Sequence, residues 1–120
     1  MDLFKNIGKL FYAIAKADGH LALEEYHKLN EVLDRSWSHL NCKNIELIQH
    51  TFNELHLNNR EPDLCFEDFI SFYKTNPKLF TTELKNLILK TGNSMAYAYA
   101  KINKSELVLL AKLSLEFKKL

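Results

Sequence analysis

Residues 2–25 read DLFKNIGKLFYAIAKADGHLALEE. Leu3, Ile7, Leu10 and Ile14 recur at spacings of three and four, which puts them on one stripe of a helix, with Phe4 and Phe11 beside it. Asp2 suits the N-cap, because its carboxylate can accept from the exposed amides of the first turn. Gly19 reads as the stop, since glycine adopts the left-handed conformation that ends helices. A second amphipathic run then begins near Ala22. Helix, short turn, helix is therefore written into the opening of the chain.

The same period continues outward. The second helix is expected over about Ala22–Ser38, with Tyr26, Leu29, Leu33, Trp37 and Leu40 to one side. Asn41 should cap a third helix that turns Ile45, Ile48, Phe52 and Leu55 inward. Residues 56–63 hold Asn58, Asn59 and Pro62 and read as a connection. A fourth helix follows over about Asp63–Lys74, facing inward through Cys65, Phe69 and Phe72 or Tyr73, and Asn76-Pro77 breaks it. Thr81 or Thr82 should cap a fifth, with Leu84, Leu87, Ile88 and Met95 inside and a kink or break at Gly92. A sixth starts at Asn103, where Asn103 to Glu106 has the form of a capping box, and carries Leu107, Leu110, Leu113 and Phe117. No stretch alternates as a strand would. The expectation is all-α: a single compact domain over 1–120 with six or seven helices.

Composition agrees. Apolar residues are 47% and charged residues 26% of the 120, which excludes a disordered or fibrous chain. Three glycines and two prolines are too few for an all-β protein rich in tight turns. Cys42 and Cys65 do not make a disulfide framework. The N-terminus lacks a signal-peptide pattern and no apolar run approaches a membrane span, so a cytoplasmic location is expected. The net charge of +1 hides two unlike parts. Residues 1–73 hold 7 basic and 12 acidic side chains, a balance of −5, and residues 74–120 hold nine lysines and three glutamates, a balance of +6. The acidic part suits a cation or basic partner, the basic part an acidic one, although solvated faces of unlike sign are commonplace.

A gapless shift of 81 residues aligns two segments. Ala15 meets Ala96, Ala17 meets Ala98, Leu21 meets Ile102, Glu25 meets Glu106 and Leu29 meets Leu110. An internal duplication of a helix–turn–helix unit is one reading; chance agreement between helical sequences is the other.

Residues 18–25, Asp-Gly-His-Leu-Ala-Leu-Glu-Glu, carry the chemistry. Gly19 permits a sharp turn across which Asp18 and Glu25 can converge, with Glu24 beside them, and hard cations require converging carboxylates. An EF-hand is excluded: with Glu25 as the twelfth loop position, Ile14 and Lys16 fall where two ligands belong. The candidate metal ligands are thus Asp18, Glu24 and Glu25, for calcium or magnesium ahead of zinc, with His20 and Glu24 as the zinc pairing. A purely structural turn is the competing reading, because acids favour a helix N-terminus by about 0.3–1 kcal/mol each.

The run Tyr12-Ala13-Ile14-Ala15-Lys16-Ala17-Asp18-Gly19, with Leu21, Glu25 and Leu29 after it, resembles the signature of the tellurite-resistance TerB-like family. That resemblance implies an all-helical fold with a duplicated core, an acidic cluster suited to metal, and a link to chemical-stress and phage responses. The second half departs from the pattern: Tyr99 and Ala100 stand where Asp18 and Gly19 would recur, and only Glu106 is retained.

Other constellations are weak. There is no phosphate loop, Cys-x-x-Cys pair or nucleophile elbow, and no nucleophile–base pair forms from local spacing, so no enzyme is expected. The first helix, with Lys5, Lys9 and Lys16 opposite its apolar stripe, gives an amphipathic membrane-surface binder as an alternative. Tyr97, Tyr99, Lys101 and Lys104 mix aromatics and cations as single-strand binders do, but half must face a core, and no nucleic-acid partner is expected. The leading functional expectation is a non-enzymatic binding module with a protein partner, acting through the Asp18–Glu25 turn. A divalent-cation-binding protein is the alternative.

Overall fold

The computed structural model describes residues 2–98 and 104–119. Six α-helices follow in order: α1 Asp2–Ala15, α2 Leu23–Ser36, α3 Cys42–Leu57, α4 Pro62–Thr75, α5 Thr82–Ala96 and α6 Lys104–Lys119. A single 3₁₀ turn, Pro77–Leu79, joins α4 to α5, and no strand occurs among the described residues. The all-α domain read from the periodicity is the fold observed.

α1 is the centre. Its sequence is apolar on more than one stripe: Leu3, Phe4, Ile7, Gly8 and every residue from Leu10 to Ala15 are buried. A helix apolar on most of its circumference must be surrounded. α3 and α4 cover it most extensively, and α5 and α6 complete the cover. The apolar stripe of α1 is thereby enclosed by other helices. No helix among the described residues is long and apolar enough to cross a membrane.

Two of the expected caps form, while Asp2 lies within α1 as its first described residue. Asn41 Oδ1 accepts from the Lys43 amide at 2.8 Å, and Thr81 Oγ1 accepts from the Leu84 amide at 3.1 Å. Pro62 is the first residue of α4, where a missing amide costs nothing, rather than part of the connection. The connection is short and tied down: Asn59 is left-handed at φ 48°, and the Tyr12 hydroxyl donates to the Arg60 carbonyl at 2.6 Å. Of the pair Phe72 and Tyr73, it is Tyr73 that is fully buried, alongside Phe69. The capping box expected at 103–106 lies partly outside the described residues.

α5 runs unbroken through Gly92, against the expected kink. The glycine is there for space: a Cβ would stand 2.8 Å from Leu110 Cδ2 and 3.1 Å from Ile14 Cδ1. α2 is held to α5 by a buried polar pair. Trp37 Nε1 donates to Thr91 Oγ1 at 2.9 Å, and that hydroxyl donates onward to the Leu87 carbonyl at 2.8 Å. Phe11 meets the indole edge-on, with ring centroids 5.9 Å apart. At the other end, Phe69, Tyr73, Phe80 and Phe117 interlock around α4, α5 and α6.

The tightest crossing is α1 on α3. A Cβ at Gly8 would stand 2.9 Å from both the Ile48 carbonyl oxygen and Thr51 Cβ. Neither a backbone carbonyl nor a β-branched stem yields easily. Gly8→Ala should therefore lower stability by about 1–2 kcal/mol, overpacking outweighing the gain in helix propensity. Gly92→Ala should cost less, because the Leu110 methyl can rotate aside. Denaturant midpoints at constant slope measure both.

Candidate functional site

The turn after α1 forms as its residues require. Ala17 and Gly19 amides return to the carbonyls of Ile14 and Lys16, and Gly19 takes φ 92°. Nothing lies within 4 Å of a Cβ at Gly19, so conformation alone demands glycine there. Asp18 Oδ1 accepts from the His20 amide at 2.9 Å. That bond fixes the bend within the turn. It does not cap α2, whose N-cap is Ala22 with no side-chain bond.

The three expected ligands part company. Asp18 is exposed and engaged with His20; Glu24 is exposed in the first turn of α2; Glu25 points into the interior and is only 2% exposed. Among the described residues no three His, Cys, Asp or Glu side chains are arranged to hold a metal ion. The set Asp18, Glu24 and Glu25 does not close, because adjacent positions on a helix face different directions.

Glu25 meets a different carboxyl. Glu106, in the first turn of α6, is fully buried and faces it. Burial penalises charge on both, and the interaction between the two carboxyls raises Glu106 further than Glu25, so the pair favours keeping a proton. Glu25 is pushed up to about 7 and Glu106 to about 9, chiefly by burial, with the charge of Asp18 a smaller cause in both. Glu25 Oε1 is buried and receives no hydrogen bond from the described residues.

This contact joins the two positions that the 81-residue shift aligns, and two helix ends obey the same shift. Ala15 ends α1 and Ala96 ends α5. Leu29 and Leu110 are both buried. The second turn, with Tyr99, Ala100 and Ile102, lies outside the described residues. Spacing within the turn favoured Asp18 as the partner of Glu25; the repeat held the better signal, Glu106.

Beside the turn lies a groove that the sequence reading did not single out. Leu21, Leu23 and Tyr26 form one wall and Asn53, His56 and Leu57 the other, enclosing about 430 Å³. Leu23 is 63% exposed and Leu57 82%. Tyr26 stacks at a tilt on Phe52, ring centroids 5.6 Å apart, which fixes the groove floor to the core. Each residue alone reads as a solvated helix position; only the approach of α2 to α3 makes them a surface. Comparison of the chain with protein-family models, curated proteins and solved structures finds no match in any of the three.

The buried pair sets a pH dependence. Both carboxyls are raised in the folded state above the 4.5 of an unperturbed glutamate, so the folded chain holds protons that the unfolded chain releases. Their contribution is fully present below pH 4.5 and is lost as pH rises through about 7 and about 9. Unfolding free energy measured between pH 5 and 9 should fall by ~1.4 kcal/mol per pH unit for each extra proton held. Glu25→Gln should flatten that slope and raise stability at pH 8 by about 1–2 kcal/mol.

Proposed function

We propose that the chain is a non-enzymatic helical binding module of the TerB-like type, engaging a protein partner through the face beside the Asp18–Glu25 turn. The groove between α2 and α3 carries this reading. Folded monomers seldom leave large aliphatic side chains together in a concave site, and such a patch commonly marks an interaction surface. Covering Leu23 and Leu57 would each contribute about 1.5–3 kcal/mol. The walls are set by Tyr26 on Phe52 and by the Gln49 amide donating to Asn30 at 3.0 Å, so the surface is built before a partner arrives.

The coincidence of the 81-residue shift with helix ends and with the Glu25–Glu106 contact supports the TerB-like type, and the stress association comes with that resemblance. The one buried thiol supports a non-catalytic role: burial pushes Cys65 up, the opposite of what a reactive cysteine needs.

A photo-reactive residue introduced at Leu57 tests the reading. In a lysate of the native host it should cross-link to a defined protein, and Leu23→Glu in the same chain should abolish the adduct. The same residue at Ser71, exposed on α4, should give none. Equal labelling from both positions, or none from Leu57, would sink the proposal.

A further inference from the structure

The occupant of the groove can be argued from the chain itself, and the argument rests on the binding-module reading above. The exposed face of α6 repeats at helical spacing as Lys104, Val108, Ala111, Lys112, Leu115 and Lys119. Val108 is 45% and Leu115 60% exposed, so their aliphatic ends stand in water. Between them the rise of an α-helix is about 10 Å, enough for two apolar knobs to enter one groove.

The charges on that face are all of one sign. Of the three acids in residues 74–120, Glu106 is buried in the carboxyl pair and Glu116 is largely covered, 19% exposed, with Lys119 at 3.4 Å and Lys74 at 3.9 Å. The surface of this half is therefore more basic than its balance of +6 suggests. The groove has the opposite character. Asp18 and Glu24 lie close in sequence to the residues of its first wall and Glu54 next to Asn53 of its second, all exposed, with His50 Nε2 at 3.3 Å from Glu54. Lys16, before the turn, is held by Asn59 Oδ1 and lies over the Tyr12 ring.

The two surfaces do not obstruct each other. α3 covers α1 extensively while making no substantial contact with α6, and α2 packs on α5. A net charge of +1 gives little overall repulsion between copies. From these features we infer that the Val108–Ala111–Leu115 stripe of a second copy seats in the α2/α3 groove, its lysines against the acidic rim. The contact is heterologous: each chain offers one groove and one stripe, so association runs head to tail. A groove of this size makes a weak, reversible interface, and opposed charge makes it salt-sensitive.

Sedimentation velocity on the full chain tests this, over a range from about 10 µM to about 1 mM, where weak interfaces populate. The average mass should rise with concentration and fall back in 0.5 M salt, where the Debye length shrinks to about 4 Å from about 10 Å at 0.1 M. Leu57→Glu removes the groove and Leu115→Glu the stripe; both positions are exposed, so folding is preserved. Each variant alone should stay monomeric. Mixed one to one they should form a heterodimer and stop there, because only one groove and one stripe remain intact. A wild-type chain monomeric throughout, a mixture that does not associate, or an oligomer that survives Leu115→Glu overturns the inference. If the wild type stays monomeric while the Leu57 probe captures a different protein, the binding-module reading stands and the self-association fails. If the probe captures nothing and no oligomer forms, both fail.

Discussion

The burial of α1 on nearly its whole circumference is the constraint from which the rest follows. Ten consecutive or near-consecutive buried positions cannot be covered by one neighbour. They require a ring, and α3, α4, α5 and α6 supply it. Close approach is possible because glycine faces the ring at Gly8 on α1 and at Gly92 on α5. α2, which has fewer buried residues, is left to pack on α5 through Trp37 and Thr91. Its outward side then stands beside α3 as the wall of the groove. A surface suited to partners is thus what remains after the central helix has taken its cover.

The Glu25–Glu106 pair is a local exception to apolar packing. Two carboxyls removed from water are tolerated when one keeps a proton, and the cost is displaced into pH dependence rather than removed. Helices α2 and α6 both begin with this glutamate in the first turn, where a charged acid would normally favour the helix. Here the carboxyl is withdrawn from the dipole's solvent-exposed end and spent on joining two helices that otherwise touch little.

Periodicity in the sequence was sufficient for every helix, because each inward stripe uses large side chains at spacings of three and four. The caps at Asn41 and Thr81 were readable for the same local reason. What the sequence obscured is tertiary. Gly92 looks like a break until Leu110 and Ile14 are seen against it. Asp18 looks like the partner of Glu25 because the two are close in the chain, whereas the true partner stands 81 residues away. The groove was invisible because Leu23 and Leu57 belong to different helices, and neither interrupts its own pattern.

Trp37 is the sole tryptophan of the chain. It is wholly buried, edge-on to Phe11, with its indole nitrogen bonded to Thr91. The molecule therefore carries an intrinsic fluorophore whose emission belongs to one place, the seam of α2, α5 and the central helix. Any event that parts that seam would redden its light without a label being added.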